Sequence, residues 1–299
     1  RMPPSGYLRK RHRSPNPAAN VYRRAETDCT DTIFSDTPAT DGGSTAAQLW
    51  VGRQSKFTTV HKLAGLTEED ILLTLQERIQ NHGAPEEIVA DNAAVYRGAK
   101  FSKYIRDLYI RLRLSESYHQ NQNYTENRWN TMKVMINRLM DFTAAPACLW
   151  LLAALYVAFC LNHTVDSEIG NGMMTPYTYA TGRSDDISPL LCFRFYEPVY
   201  CLQPTDKTTF PSVSKEIRGR WVGISENCGH AMTWLVLTDT TQKVISRSEI
   251  RSALDPKQQN LSLDPTTTTD FKMLDNDPSA DAIAAADNDP ADPTSVVFF

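Results

Sequence analysis

The sequence predicts a mixed α/β domain followed by a smaller β-rich module. Between residues 28 and 183, short apolar runs alternate with segments whose apolar residues recur at helical spacing. Between residues 184 and 255, short apolar runs recur at close intervals, which is typical of a small barrel or sandwich. Hydrophobic residues make up 41% of the 299 residues, so the chain can bury a substantial core.

In the α/β part, the order of the elements predicts a partly antiparallel sheet. Three strands come first, and helices and strands then alternate. The first helix is well defined, because Thr67 can cap its start, acidic residues fill its first turn, and Gly83 ends it. The predicted strands are 30–35, 46–52, 57–63, 88–91 and 110–114, and the predicted helices are 67–82, 100–108, 126–140 and 146–163.

The β-rich module is predicted from β-branched and aromatic runs that are separated by turn residues. A hairpin turn is expected at 239–242, where polar residues interrupt two such runs. The expected strands of this module are 198–202, 219–224, 232–237 and 244–246.

The two ends of the chain have opposite charge. Residues 1–25 contain seven Lys or Arg and no acidic residue, which predicts a basic, extended arm over 1–27. From Asp255 onward nine Asp stand against two Lys, and this composition predicts a disordered acidic tail over 256–299. The net charge of −4 therefore conceals a mildly basic body, which favours a polyanionic partner. The sequence shows no membrane-spanning segment and no zinc-ligand pattern.

Three acidic residues give the strongest indication of chemistry. Asp31 lies within a predicted strand, Asp91 ends another, and Glu126 opens a long amphipathic helix 35 residues later. Carboxylate oxygens suit hard divalent cations, and a pair of such cations serves phosphodiester transfer. The spacing alone is weak evidence, because the chain contains 35 Asp and Glu, so the local sequences decide the interpretation.

The local sequences resemble the catalytic core of retroelement integrases, in particular those of copia-type long-terminal-repeat retrotransposons. The family has Asp, Asp and, at this same interval, Glu, which Asp31-Thr32, Asp91-Asn92 and Glu126 match. A Gln- and Asn-rich segment at 119–123 precedes the glutamate, as in the family. Further matches after the core are 150–152, 161–164, 175–177, 218–224 and 243–247.

The resemblance implies a ribonuclease-H-like fold and a polynucleotidyl transferase that trims element DNA ends and joins them to target DNA. It implies that Asp31, Asp91 and Glu126 are catalytic and hold two Mg²⁺ ions, or Mn²⁺ in their place. Double-stranded DNA is the implied partner of a homo-multimer that has no membrane contact, acts in the nucleus, and is in a cytoplasmic particle before import. The implied DNA-binding residues are Lys133, Asn92, His119, Gln122 and Asn123.

The chain also departs from the family pattern. Thr125 stands where a small apolar residue usually precedes the glutamate, and Asn127 stands where Arg is common. The amino-terminal zinc module of the family is missing, so we expect a fragment of a longer polyprotein.

Plainer interpretations stay open for single residues and for the whole chain. Lys133 could be a solvated helix lysine, Asn92 a turn residue and 119–123 a linker, while Arg128 and Arg138 are predicted as surface charges. One alternative function is a catalytically dead DNA- or protein-binding remnant of a decayed element. Another is a ribonuclease acting on RNA–DNA hybrids, which would need a fourth acidic residue near the site.

Overall fold

A computed structural model of the chain describes residues 14–40, 42–115, 124–202, 214–230, 232–260 and 263. Within these residues the strands form two five-stranded sheets. The strands are β1 (Thr27–Phe34), β2 (Ala46–Gly52), β3 (Thr58–Leu63), β4 (Glu87–Ala90), β5 (Arg111–Leu114), β6 (Pro198–Leu202), β7 (Glu216–Ile224), β8 (Trp234–Thr238), β9 (Val244–Arg247) and β10 (Ile250–Ser252). The helices are α1 (Glu68–His82), α2 (Ala99–Asp107), α3 (Tyr124–Thr143), α4 (Trp150–Asn162) and α5 (Pro176–Thr181).

The strand β1 is central to the first sheet. The strand order is β3-β2-β1-β4-β5, with β1 antiparallel to β2 and parallel to β4. Strands joined by short connections pair antiparallel, whereas strands that return through a helix pair parallel. The predicted mixed sheet flanked by helices is therefore confirmed, and so is the β-rich module after it.

Helices cover both faces of this sheet. Along β2, Ala47, Leu49 and Val51 belong to the buried cluster that contains α3 and α4 residues. The alternate residues Ala46 and Trp50 belong to a second buried cluster with α1 and α2. Every residue of β2 is buried, which is expected for a strand whose two faces are both packed.

The helix α1 begins and ends at the residues that the sequence predicts. Thr67 Oγ1 accepts a hydrogen bond from the Asp70 N–H (3.2 Å), and the Asp70 carboxylate accepts one from the Thr67 N–H (3.2 Å). This reciprocal capping satisfies backbone donors that a helix start leaves free. Gly83 follows the helix with a φ of 93°, a conformation that favours glycine. Between these ends, Ile71 and Leu75 are buried.

The second sheet has the order β10-β6-β7-β8-β9 and is antiparallel throughout. Its strands form one sheet, so the sandwich interpretation does not hold for the residues that the structure describes. The strand β10 was not predicted from the sequence, because its three residues are too few to show an alternating pattern. Trp221 and Val236 of this sheet belong to the same buried cluster as Leu151 of α4. The β-rich module thus shares a core with the α/β part.

The segment just before β1 is part of the fold. Arg23 pairs with Ala84 in an isolated parallel bridge, and the Arg24 N–H donates to the Ala84 carbonyl (2.8 Å). The Arg24 side chain is buried and bonds Glu26 (2.8 Å) and Asp28 (2.5 Å). Arg24, which the sequence predicts as part of an extended basic arm, is therefore buried in the core, whereas Arg23 is exposed.

The chain divides into two units, Arg1–Gln258 and Gln259–Phe299, and nearly all of the second lies outside the described residues. Both sheets lie in the first unit. The domain limits 1–27, 28–183, 184–255 and 256–299 stay predictions, and most of the expected arm and tail lies outside the described residues. None of the helices in the described part of the chain has the length and hydrophobicity that crossing a membrane needs.

Candidate functional site

Asp31 and Asp91 lie on neighbouring parallel strands. In the register of β1 with β4, Cys29 pairs with Val89. Continuing that register by two residues brings Asp31 beside Asp91, which comes directly after the last residue of β4. Neighbouring strands run about 5 Å apart, so the two carboxylates start from adjacent backbones. Asp31 is half-buried and Asp91 is exposed.

Glu126 lies in the first turn of α3, which packs over the face of β1 that carries Asp31. The Cys29 thiol, two residues before Asp31 on β1, is close enough to the backbone of Tyr124, at the start of α3, for that backbone to lower its pKa against the rise caused by burial. Residues two apart in a strand point to the same face of the sheet. The amino end of α3 therefore lies over the stretch of β1 that leads to Asp31. A helix start also favours a negatively charged side chain such as that of Glu126.

The pKa of Asp31 depends on the charges of the other two acids. The pKa of Asp31 is raised to about 6, first by burial and then by the nearby charges of Asp91 and Glu126. The Thr32 N–H donates to Asp31 Oδ1 (2.8 Å), which opposes this rise. Because carboxylates that raise one another's pKa gain from a bound cation, this arrangement is typical of a functional site.

Asp28, three residues earlier on β1, is the structural counterpart of Asp31. Although burial raises its pKa, Arg78 and Arg24 lower it more, and the net pKa of Asp28 lies below its usual value. Arg78 Nη2 is 3.2 Å from Asp28 Oδ1, and both side chains are fully buried. One strand thus carries a carboxylate that is neutralised by arginines and another that is surrounded by carboxylates.

A divalent metal ion fits this set of donors by chemistry, because three carboxylates from two strands and a helix offer oxygen ligands. In the described residues, no group of three His, Cys, Asp or Glu side chains is gathered closely enough to hold a metal ion. Asp31, Asp91 and Glu126 are therefore electrostatic neighbours without a formed coordination shell. Binding an ion would draw their carboxylates together.

Of the predicted DNA-binding residues, Asn92 and Lys133 are exposed. Asn92 Oδ1 accepts a hydrogen bond from the Arg97 guanidinium, so its side chain is oriented by a neighbouring residue. The Lys133 ammonium lies 5.9 Å from the centre of the Trp129 ring on the same helix. His119, Gln122 and Asn123 lie outside the described residues.

Three solved integrase structures are similar to this chain. The HTLV-2 integrase catalytic core domain in complex with magnesium, in its dimeric form, has a TM-score of 0.41 and 16% identity, covering 54% of this chain and 99% of that chain. The trimeric form has a TM-score of 0.40 and 17% identity, covering 52% and 99%. The simian T-cell lymphotropic virus intasome in complex with PP2A regulatory subunit B56 gamma has a TM-score of 0.43 and 15% identity, covering 79% and 83%.

No protein-family model and no curated protein matches the chain. Similarity at the level of these three structures does not assign the chain to a family. The function proposed below therefore depends on the strand topology and the site residues of this chain.

One polar residue near the site contradicts its sequence prediction. Arg128, predicted as a surface charge, is only 9% exposed, and its Nε donates to Thr58 Oγ1 (3.0 Å). The prediction was wrong, although a signal was present: Thr125, Arg128 and Met132 recur at helical spacing and form the buried stripe of α3. Arg138, on the same helix, is exposed as predicted.

Tyr96 is a second residue that the sequence analysis missed. It follows Asp91 in a short 3₁₀ turn, is 1% exposed, and its hydroxyl accepts a hydrogen bond from Gln48 Nε2 (2.9 Å). Burial raises the pKa of Tyr96, and the charges of Asp91 and Asp31 raise it further. The phenol is therefore close to both carboxylates and, through Gln48, connected to β2.

Proposed function

We propose that the chain is a metal-dependent polynucleotidyl transferase of the integrase class, from a copia-type long-terminal-repeat retrotransposon. It trims the DNA ends of the element by hydrolysis and joins the exposed 3′-hydroxyls to target DNA. The carrying observation is that Asp31 on β1 and Asp91, directly after the parallel strand β4, are close enough for their charges to interact, and that Glu126, in the first turn of α3, acts on the same Asp31. Acids from separate elements that face one point are what two-metal phosphoryl chemistry needs.

Sequence segments outside the acidic residues support the copia-type assignment. The segment 218–224 falls in β7, and 243–247 covers β9. The segment 150–152 begins α4, which packs against β7 through the shared core. The resemblance therefore extends into the β-rich module. A resemblance limited to the three acidic residues would end at Glu126.

Asp31, Asp91 and Glu126 would hold the metal ions, and the other residues of the site orient and bind. When bound, two Mg²⁺ or Mn²⁺ ions supply activation of the attacking hydroxyl and neutralisation of charge on the transferring phosphate. The Thr32 N–H orients Asp31 Oδ1. The exposed ammonium of Lys133 offers a phosphate contact whose strength depends on salt concentration.

The biological setting is part of the same proposal. Double-stranded DNA, both element ends and target, is the expected partner, and the protein is expected to act as a homo-multimer. Its site of action is the nucleus, reached from a cytoplasmic particle. The exposed Lys103 of α2 is compatible with a polyanionic partner.

Metal binding and strand joining test the proposal together. The thermal midpoint of the full chain should rise with Mg²⁺ concentration, because a ligand that binds only the folded state stabilises it. The same protein should join a terminal-repeat duplex to target DNA when Mg²⁺ is present. Asp91→Asn should lose both responses, whereas Asp141→Asn, an exposed acid at the other end of α3, should keep them.

The two assays distinguish the proposed transferase from its alternatives. Strand joining that Asp91→Asn leaves undiminished would exclude the assigned metal site. Cleavage of RNA–DNA hybrids without joining would favour the ribonuclease instead.

A second candidate function is a catalytically inactive DNA- or protein-binding remnant. It is favoured by the finding that no set of three ligand side chains in the described residues is close enough to hold an ion. This candidate predicts DNA binding without any Mg²⁺ or Mn²⁺ response. A thermal midpoint that is unchanged by either metal, together with retained DNA binding, would establish it over the enzyme.

A further inference from the structure

The start of α3 is attached to the opposite edge of the first sheet by a buried arginine. Arg128 Nε donates to Thr58 Oγ1 (3.0 Å), and its Nη2 donates to the Lys56 carbonyl (3.3 Å). Burial lowers the pKa of Arg128, while Tyr124 and Asp166 act in the opposite direction. A buried guanidinium with two hydrogen bonds fixes direction as well as distance.

Thr58 is the centre of this arrangement. Its N–H donates to Asn162 Oδ1 (2.8 Å), and its carbonyl accepts from Asn162 Nδ2 (2.7 Å). Its hydroxyl donates to the Lys56 carbonyl (2.9 Å) while accepting from Arg128. Thr58 and Asn162 are 1% and 5% exposed, so these bonds are shielded from water. The end of α4 and the start of α3 thus meet at one residue of β3.

The ammonium of Lys56 extends the arrangement to the loop after α4. Lys56 Nζ lies 2.7 Å from Asp166 Oδ1 and 2.5 Å from Glu168 Oε2. Lys56 is itself only 8% exposed. Lys56 therefore accepts a hydrogen bond from Arg128 through its carbonyl and forms ion pairs with the loop after α4 through its ammonium.

These contacts connect the sheet, which carries Asp31 and leads to Asp91, with α3, which carries Glu126. Thr58 pairs with Val51 between β3 and β2, and Asp31 pairs with Leu49 between β2 and β1. Arg128 joins this sheet to α3 two residues after Glu126. Residues two apart on a helix point to different sides, so Arg128 can hold the helix while Glu126 stays directed elsewhere.

We propose that Arg128, through Thr58 and Asn162, is a positioning residue that sets where Glu126 stands relative to Asp31 and Asp91. The inference rests on the function proposed above and names the part of the fold that preorganises its site. Arg128 touches neither metal nor DNA in this role. The scale for comparison is the loss of about tenfold or more in metal affinity that typically follows removal of a residue that orients a metal ligand.

The test is the half-saturating Mg²⁺ concentration of the full chain (the Mg²⁺ midpoint), fitted from the dependence of its thermal midpoint on Mg²⁺ concentration, without DNA and without turnover. Arg128→Met keeps the aliphatic stem and removes the donors, Arg128→Lys keeps the charge, and Thr58→Val removes the acceptor. Arg138→Met is the matched control on the exposed side of the same helix. Leu75→Ala is the control for general destabilisation, because Leu75 is buried in the cluster on the other face of the sheet.

We expect Arg128→Met and Thr58→Val to raise the Mg²⁺ midpoint by about tenfold, and Arg128→Lys to restore part of the wild-type value. Arg138→Met and Leu75→Ala should leave the midpoint unchanged, even though Leu75→Ala lowers the metal-free melting temperature. Strand joining by Arg128→Met should recover at high Mg²⁺.

Three outcomes would overturn the inference. An unchanged midpoint in Arg128→Met would refute it while leaving the proposed function intact. An equal shift in Leu75→Ala would reduce Arg128 to a general contributor to stability. A wild-type chain without any Mg²⁺ response would remove the proposed function and the inference with it. If Arg128→Met does not fold, Thr58→Val and Arg128→Lys decide the question by the same criterion.

Discussion

Replacing Asp31 by Asn should make the metal-free protein more stable at neutral pH. In the folded state the pKa of Asp31 is about 6, against an ordinary value of 3.8. Because the folded pKa is raised, folding favours the protonated acid, and this contribution is complete below pH 3.8 and lost as pH rises through 6. The substituted asparagine would keep the acceptor for the Thr32 N–H without the charge. The gain should therefore develop between these two pH values and stay constant above them.

The size of the effect follows from the same shift. A pKa change of one unit corresponds to about 1.4 kcal/mol, so the shift of Asp31 corresponds to about 3 kcal/mol. Asp31 is half-buried, and solvent screening reduces this figure. We expect a gain in the free energy of unfolding of about 1.5 to 3 kcal/mol above pH 7, and little gain near pH 4.

Urea unfolding of wild type and Asp31→Asn in EDTA, at pH 4, 5.5 and 7.5, measures this difference. The unfolding midpoints should separate progressively from the lowest pH to the highest. A variant that is less stable than wild type at pH 7.5, or equally stabilised at all three values, would refute the raised pKa of Asp31.

Three further predictions concern other charged groups. Asp28→Asn should lower the free energy of unfolding at pH 7 by about 3 to 5 kcal/mol, because Arg24 and Arg78 lose their buried partner. A loss below about 1 kcal/mol in urea unfolding would contradict this prediction. The pKa of His82 is lowered from 6.5 to about 3, first by burial and then by Arg78, so the protein should lose stability as pH falls below 6.5. His82→Gln should reduce that loss. If the variant and wild type lose melting temperature equally at acidic pH in thermal scans, His82 is not its cause. Lys133→Ala should weaken binding to all DNA duplexes and reduce the salt slope by about 1; a sequence-dependent loss in fluorescence anisotropy would argue for base contact instead.

Elements with local signals were predictable from the sequence. The limits of β2, 46–52, agree with the structure, because every residue of the strand is buried and a glycine ends it. The helix α1 was fixed by Thr67 and Gly83, whose conformations are local properties. By contrast, α3 begins at Tyr124 and ends at Thr143, so the prediction of 126–140 was short at both ends.

The candidate site was predictable only in part, because its geometry is a long-range property. Asp31 could be assigned to a strand and Asp91 to a strand end, but the parallel register that brings these two strands side by side depends on the pairing of β1 with β4 across the sequence. The burial of Arg24, Arg78 and Arg128 could not be read from charge, since a buried arginine requires partners that tertiary structure supplies.

Anomalous scattering from crystals of the full chain grown with Mn²⁺ would locate the metal directly. We expect peaks among the carboxylates of Asp31, Asp91 and Glu126, with all three side chains drawn to the ions, and we expect the peaks to vanish in Asp91→Asn. Ordered crystals that contain Mn²⁺ elsewhere, or that keep these carboxylates apart at millimolar Mn²⁺, would contradict the metal site and the transferase chemistry built on it.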